Sequence, residues 1–290
     1  MNPFFDKVAI IGVGLLGGSV GLALKARGMC GKVVGVGRSQ SSIEAGLRVG
    51  AIDEATEEVV DAAKGANLVV VSTPVGSVAG IIAELENSIE SDCIITDVGS
   101  TKRSIVYEVE QLRRAGPRFV GSHPLAGSER KGVQHASASL FENAFVFVTL
   151  TPVTDRSAAN EIREMWKQLG GKVVDLEPDA HDRIVARTSH SPHIVAALLV
   201  AGLRALPEEY SKLVGKGFLD TTRIASSDPE MWADICISNA EEIKEALATL
   251  RDDLDEFEMY LNEGEYEKFF DFFNSIKRLR DSLNQKDSNA

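Results

Sequence analysis

Short apolar runs alternate with segments of helical periodicity over the first 176 residues of this chain. The segments predict helices at Ser19–Arg27, Val75–Asn87, Lys102–Arg114 and Asp155–Leu169, the last with Asp155 as N-cap and Gly170-Gly171 as its stop. The runs predict strands covered on both faces: Lys7–Ile11, Lys32–Val36, Leu68–Ser72, Cys93–Asp97, Phe119–Gly121, Ala144–Leu150 and Lys172–Leu176. Such alternation is typical of an α/β domain with a mainly parallel sheet.

From Pro178 onward only helical periodicity remains, in two apolar stripes. The first, expected on one long helix, runs through Trp232, Ile235, Ile243, Leu247, Leu250, Leu254, Phe257 and Leu261. The second runs through Tyr266, Phe269, Phe270, Phe273, Ile276 and Leu283. A small domain has difficulty covering such long faces, so we expect a homodimer through these helices; a bundle core within one chain is the alternative.

A glycine-rich turn follows the first predicted strand. Gly12, Gly14 and Gly17 have the G-x-G-x-x-G spacing that brings a pyrophosphate to a helix N-terminus, and Leu15 and Leu16 within this turn are also candidates for cofactor binding. A tight structural turn is the alternative. We therefore predict a Rossmann-type, doubly wound parallel sheet in a dinucleotide-binding domain (1–176). An all-α domain for substrate binding and dimerisation (177–290) follows it.

The end of the second strand bears on which dinucleotide binds. NAD-binding versions of this fold place an acidic residue about 20 positions after the fingerprint. Here Arg38 and Ser39 occupy that region, and a guanidinium there can hold a 2′-phosphate, so NADP is favoured over NAD. The alternative is a solvated arginine in an enzyme that accepts either cofactor. Thr73 and Pro74, after the third strand, are expected beside the cofactor.

Composition narrows the class of protein. The net charge of −12 argues against nucleic-acid binding, and we expect no membrane association because no apolar run reaches about 18 residues. The three cysteines, Cys30, Cys93 and Cys236, are widely spaced, as in a cytoplasmic protein with reduced thiols. No signal sequence is recognisable.

Polar residues follow the strands where a Rossmann-type site is expected. His123, after the fifth strand, is the candidate general base because imidazole titrates near neutrality. Ser100, after the fourth strand, is a candidate to orient that histidine or a substrate hydroxyl. A structural histidine is the alternative reading of His123.

Several separated motifs between Val8 and Trp232 resemble those of the prephenate and arogenate dehydrogenases of tyrosine biosynthesis. They are Asp97-Val-Gly-Ser100-Thr-Lys102, Gly121-Ser-His123-Pro-Leu-Ala-Gly-Ser-Glu129, Ser189-His190-Ser-Pro-His193, Asp220-Thr-Thr-Arg223-Ile-Ala and Ser227-Asp-Pro-Glu-Met-Trp232. The resemblance implies NAD(P)-dependent oxidative decarboxylation of a cyclohexadienol dicarboxylate. His123 would accept the hydroxyl proton while hydride moves to the nicotinamide.

The resemblance also implies substrate-binding roles for Arg223 and His193, and for Glu129 a role in gating or ordering the pocket. Trp232 is either a wall of the substrate pocket or the first core residue of the long helix. Arg223 would bind a substrate carboxylate, with a surface salt bridge as the alternative. His190, three residues before His193, is expected to pack or support the site; a metal held by this pair is disfavoured, and we predict none.

Rival readings are another two-domain hydroxyacid dehydrogenase, a pyrroline-carboxylate reductase, or a dinucleotide sensor without turnover. The choice between prephenate and arogenate stays open, as does inhibition by tyrosine, which we would expect to compete with substrate. Because seven residues precede Val8 and the chain ends soon after the second stripe, we expect no fused mutase or regulatory domain. His135 is interpreted as a surface residue.

Overall fold

One mixed sheet organises the N-terminal part of the chain. The computed structural model describes residues 4–86, 88–112, 118–127 and 130–285. Its strands are β1 (Phe5–Ile11), β2 (Cys30–Val36), β3 (Glu54–Ala55), β4 (Leu68–Val71), β5 (Ile94–Asp97), β6 (Arg118–Pro124), β7 (Phe145–Thr149) and β8 (Lys172–Leu176). They lie in the order β3-β2-β1-β4-β5-β6-β7-β8, and only the β6–β7 pair is antiparallel. The predicted Rossmann-type sheet is confirmed, with the short edge strand β3 added.

Helices cover both faces of this sheet, because alternate residues of the central strands point to opposite sides. Val8 and Ile10 of β1 belong to one buried cluster, and Ala9 and Ile11 to the other. The helices are α1 (Leu15–Ala26), α2 (Gln40–Arg48), α3 (Val59–Ala63), α4 (Val75–Leu85), α5 (Arg103–Leu112) and α6 (Arg156–Gln168).

The predicted ends of these helices can be compared with the structure. The Asp155 side chain caps α6 by accepting a hydrogen bond of 2.8 Å from the Ala158 amide, and Gly170, at φ +92°, follows its last turn. Both predicted signals are confirmed. The predicted ends Asn87 and Arg114 lie outside the described residues.

After Leu176 the described residues, which reach 285, contain only helices and turns. The helices are α7 (Pro178–Val185), α8 (Ser191–Gly202), α9 (Glu208–Ser211), α10 (Lys216–Thr222), α11 (Pro229–Ser238), α12 (Ala240–Glu263) and α13 (Tyr266–Gln285). A π-helical turn, Ala186–His190, joins α7 to α8, and a 3₁₀ turn, Arg223–Ser226, follows α10. The all-α C-terminal part is thus confirmed.

The first apolar stripe does not lie on one helix, contrary to our expectation. It is divided between α11 and α12 at Asn239, whose backbone has φ −117° and ψ 29°. The Asn239 side chain is buried and donates to groups on other elements, as described below. Asn239 occupies one position of the apolar stripe, but the periodicity resumes in phase at Ile243, so the sequence pattern predicts one continuous helix.

Two compact units are distinguished, Met1–Ile243 and Lys244–Ala290. In the second unit, α12 and α13 form a helical hairpin closed at Gly264, which has φ +67°. Phe257 packs edge-on against Phe269 and Phe272 within it. The predicted functional boundary at 176/177 stays a prediction.

The helical stretch Pro178–Ala205 is long and apolar enough to cross a membrane by length and composition alone, although no single apolar run of that length occurs in it. It is interrupted by the π-helical turn and carries three buried polar side chains, His181, Asp182 and His190. Only 28% of its most apolar window is buried.

Candidate active site

The glycine-rich turn between β1 and α1 has the shape that a bound phosphate requires. Gly12 has φ +104°, and a Cβ there would lie 2.5 Å from the Ser72 carbonyl oxygen. A Cβ on Gly17 would lie 2.2 Å from Ser72 Oγ, whereas one on Gly14 would meet nothing within 4 Å. Ser72 Oγ also donates 2.6 Å to the Gly12 carbonyl and thereby holds the turn.

The α1 helix then begins at Leu15, and no side chain caps its N-terminus. The amides of its first turn, including those of Leu15 and Leu16, have no partner within the helix and form a ready anion site. Open space at Gly14 together with this uncapped helix end fits the pyrophosphate of a dinucleotide.

The other cofactor candidates also lie at the carboxyl ends of parallel strands. Arg38 follows β2, is 81% exposed, and has a long ion pair of 3.8 Å with Glu230. Ser39 caps α2, and no acidic residue stands at this strand end. Thr73 follows β4, and Pro74 is the N-cap of α4. The region of the missing acid therefore presents a guanidinium and hydroxyl groups.

His123 lies within a strand, which corrects the expectation that it follows one. The strand β6 continues to Pro124 because it pairs with antiparallel β7, where His123 stands opposite Phe147. The side chain is only 7% exposed. Burial lowers the pKa of His123 well below its usual value, and His181 and Lys102 add to the shift. The imidazole is consequently neutral near pH 7 and able to accept a proton.

Behind His123 lies a buried chain of hydrogen bonds that the sequence reading missed. His123 Nδ1 is 2.9 Å from His181 Nε2, and His181 Nδ1 is 2.7 Å from Asp182 Oδ1. Asp182 in turn accepts from the backbone amides of Lys102 (2.7 Å) and Arg103 (3.1 Å). The sequence offered His181-Asp182 only as the nearby candidate for a third metal ligand beside His190 and His193, and the adjacent His-Asp pair was its one signal.

A fully buried ion pair fixes the segment that carries Ser100. The Lys102 ammonium contacts the Asp97 carboxylate at the end of β5, and both side chains are 0% exposed. Asp97 also accepts from the amides of Gly99 (2.8 Å) and Ser122 (3.2 Å). Burial raises the pKa of Asp97, and the Lys102 charge opposes that shift. Ser100 is half-buried in the turn that this pair closes.

Asn239 links the His123 network to a second histidine. Its Nδ2 lies 2.9 Å from the Asp182 carbonyl oxygen and 3.1 Å from His190 Nδ1. His190 is 1% exposed, and burial lowers its pKa to about 4, with the backbone of Ser100 opposing the shift. Ser100, His190 and the His123 network therefore belong to one cluster.

The predicted substrate-binding residues come together around an aromatic stack. The rings of His193 and Trp232 are stacked with centroids 4.0 Å apart, and the ring of His190 meets Trp232 edge-on at 6.0 Å. His193 Nδ1 lies 3.0 Å from the Ser189 carbonyl oxygen, to which it donates, so Nε2 remains an acceptor. Arg223 lies near enough for its charge to lower the pKa of His193, after the larger effect of burial.

Glu129 and His135 remain to be considered. Glu129 lies outside the described residues, and His135 is exposed. Within the described ranges, no three His, Cys, Asp or Glu side chains group as a metal site. The arrangement offers a neutral buried base (His123), a cation near His193 (Arg223) and a glycine-rich turn suited to a dinucleotide. Together these suit hydride transfer coupled to proton abstraction.

Comparisons with known proteins agree with this chemistry. Residues 20–175 match the family model "Prephenate dehydrogenase, nucleotide-binding domain", and residues 177–281 match "Prephenate dehydrogenase, dimerization domain". The prephenate dehydrogenase of Bacillus subtilis is 36% identical over 287 residues, which are 98% of this chain and 77% of that protein.

Two solved structures are similar over nearly the whole chain. The Aquifex aeolicus prephenate dehydrogenase, in complex with hydroxyphenyl propionate and NAD+, has a TM-score of 0.90 at 33% identity, covering 96% of this chain and 98% of its own. The Synechocystis arogenate dehydrogenase has a TM-score of 0.81 at 27% identity, with coverages of 96% and 99%.

Proposed function

This chain belongs to the prephenate dehydrogenase family, and from that premise we propose that His123 is the base of its reaction. The protein is an NAD(P)-dependent oxidoreductase that decarboxylates prephenate, arogenate or both oxidatively, in tyrosine biosynthesis. The rival hydroxyacid dehydrogenase and sensor readings are thereby set aside. The observation that carries the assignment of His123 is a neutral, buried imidazole at the carboxyl end of β6.

When bound, the nicotinamide would accept the hydride that leaves C4 of the substrate, and loss of carbon dioxide then makes the ring aromatic. The protein must remove the proton of the 4-hydroxyl group at the same carbon. His123 accepts this proton on Nε2, because its Nδ1 is engaged with His181. Ser100, in the turn after β5, orients the same hydroxyl.

The substrate carries two carboxylates, for which we assign Arg223 as the binding cation. Arg223 is exposed, at the start of the 3₁₀ turn after α10, and its charge acts on His193. A guanidinium binds a carboxylate through two parallel hydrogen bonds. The His193–Trp232 stack then forms a wall beside the ring, with His193 Nε2 as an acceptor. Glu129 keeps its assignment as a substrate-binding residue from the sequence alone.

For the cofactor, we propose a preference for NADP over NAD, governed by Arg38 and Ser39. The support is the exposed guanidinium at the end of β2, where an acidic residue would repel a 2′-phosphate. Arg38→Ala should lower the ratio of kcat/KM for NADP to that for NAD by about tenfold or more. Arg38→Lys keeps the charge but cannot form two parallel hydrogen bonds, so its ratio should lie between those of the wild type and Arg38→Ala. An unchanged ratio in Arg38→Ala would remove Arg38 from cofactor selection.

For the assembly, we propose residues 1–176 as the dinucleotide-binding domain and 177–290 as the domain for substrate binding and homodimerisation. Within α8, Leu198 is 60% and Leu199 45% exposed. In the second compact unit, the α13 residues Phe273 and Leu279 are 58% and 62% exposed. Large apolar faces of this kind support pairing with a second copy.

We further propose that the enzyme acts in the cytoplasm as a protein without nucleic-acid or membrane partners. The support is that its three cysteines are widely spaced in the sequence, a pattern typical of proteins with reduced thiols.

The function is tested by the initial rate of nicotinamide reduction with prephenate and arogenate, each with NAD and with NADP. Turnover in one or more of the four combinations is expected, and their ranking gives the substrate and cofactor preferences. No turnover in any of them, with cofactor binding intact, would contradict the proposed function.

The base is tested by His123→Asn, which should lower kcat about 10²- to 10⁴-fold while cofactor affinity is kept. The matched control is His135→Asn, at an exposed histidine, which should leave kcat unchanged. In the wild type the acid limb of kcat/KM should lie well below the ordinary histidine pKa, because burial disfavours the imidazolium. A fully active His123→Asn enzyme would exclude His123 as the base.

A further inference from the structure

We propose that His181 and Asp182 are positioning residues, which keep the single ring proton of His123 on Nδ1 and leave Nε2 bare for the substrate hydroxyl. The inference rests on the proposed role of His123 as the base. It adds which ring nitrogen of His123 accepts the substrate proton and which residues determine that choice. Neither His181 nor Asp182 needs to touch the substrate.

The direction of the hydrogen bonds is set at the Asp182 end, because an ionised carboxylate can only accept. The Lys102 and Arg103 amides at the start of α5 donate to it at 2.7 and 3.1 Å. Burial raises the pKa of Asp182, whereas these two amide donors and the charges of Lys102 and Arg103 oppose that shift and favour the ionised form. His181 Nδ1, 2.7 Å from the same carboxylate, must therefore carry a proton.

The proton position on His181 then determines the proton position on His123. His181 is 0% exposed, so burial lowers its pKa well below the usual value, and the charge of Lys102 adds to the shift. As a neutral ring with its proton on Nδ1, it presents a lone pair at Nε2. His123 Nδ1 lies 2.9 Å from His181 Nε2 and must donate to its lone pair. Since His123 is also neutral, its Nε2 has no proton.

This choice of tautomer matters because only one form of His123 can act as a base at Nε2. An imidazole without a fixed partner populates both forms, and the form protonated at Nε2 cannot take up the hydroxyl proton. The Ser-His-Asp triad gives a scale for the effect, since loss of its orienting carboxylate lowers kcat by about 10⁴ through the wrong tautomer.

Nitrogen NMR of the whole enzyme tests the proposal directly. The chain has five histidines, so a long-range ¹H–¹⁵N spectrum of histidine-labelled protein is simple enough to assign with His123→Asn and His135→Asn. At neutral pH and without substrate, His123 and His181 should both be protonated on Nδ1 and bare on Nε2. The exposed His135 supplies the signal of an unconstrained ring. A His123 proton on Nε2 would overturn the proposal.

Kinetics of two substitutions at one position give a second test. His181→Leu should lower kcat about 10- to 100-fold at nearly constant substrate KM and give His123 mixed tautomer signals. His181→Gln, whose amide oxygen can accept from His123 Nδ1, should recover part of kcat. An unchanged kcat in His181→Leu would overturn the proposal.

The two tests separate this proposal from the proposed function. A tautomer opposite to expectation would leave the role of His123 as base open, whereas an active His123→Asn enzyme would refute that role whatever the tautomer. Should His181→Leu fail to fold, the wild-type spectrum still decides.

Discussion

Replacing Lys102 by methionine tests how the buried ion pair supports the active site. Lys102 and Asp97 are both fully buried, and methionine keeps most of the side-chain volume without the charge. The Asp97 carboxylate then retains its hydrogen bonds from the Gly99 and Ser122 amides but has no cation beside it. Removing one partner of a buried pair costs about 3–5 kcal/mol, and we expect a loss of this size in the free energy of unfolding at neutral pH.

The loss should depend on pH in a defined direction. Burial already raises the pKa of Asp97, with Lys102 opposing it, so the variant raises this pKa further. A carboxyl group with a raised folded pKa binds more protons in the folded than in the unfolded state. Stability therefore falls as pH rises above the ordinary aspartate range, by up to about 1.4 kcal/mol per pH unit. The deficit of Lys102→Met should accordingly shrink on acidification.

Urea unfolding followed by tryptophan fluorescence measures this effect, with the double variant Lys102→Met, Asp97→Asn as the control. Because no unpaired buried charge remains in the double variant, it should recover most of the lost stability and lose the added pH dependence. The Lys102 charge also lowers the pKa of His123, so the acid limb of kcat/KM should move to higher pH in Lys102→Met. A loss below about 1 kcal/mol, or one equal at all pH values, would refute the reasoning.

Three further predictions concern the substrate, the cofactor and the assembly. Arg223→Ala should raise KM for the substrate about 30-fold or more with little change for the cofactor, and Arg223→Lys should be milder; equal changes in both KM values would count against carboxylate binding. Gly14→Ala should weaken cofactor binding in titration calorimetry without changing the melting temperature, since a Cβ there meets no protein atom within 4 Å. Gly17→Ala should instead lower stability by about 1–3 kcal/mol, because its Cβ would lie 2.2 Å from a side-chain oxygen. Phe273→Glu combined with Leu279→Glu should yield monomers in analytical ultracentrifugation, and a retained dimer would place the interface elsewhere.

Local patterns were sufficient to predict the glycine turn, the cap at Asp155 and the alternation of strands and helices. Each of these features depends only on residues that lie close together in the sequence. The end of β6 was predicted three residues early because its last pairs depend on β7, more than 20 residues away. The short elements β3, α2 and α3 were missed, since they lack a long apolar period.

The candidate site was predictable only in part, for a similar reason. The motifs singled out His123, His193, Arg223 and Trp232, but the partner of His123 is 58 residues distant in sequence. Asn239 interrupts an otherwise regular apolar stripe because its amide bonds to groups near residues 182 and 190. No property of a single segment reveals contacts of this kind.

The π-helical turn Ala186–His190 makes the length of this segment as important as its composition. A π turn holds one residue more than an α turn, so the helices before and after it are out of phase with each other. If the same residues formed a regular α-helix instead, every later residue would rotate by about 100° around the axis relative to His181. His193 would then leave Trp232, although no side chain of the cluster had been altered. The extra residue held in the π turn therefore determines which side chains of α8 face Trp232.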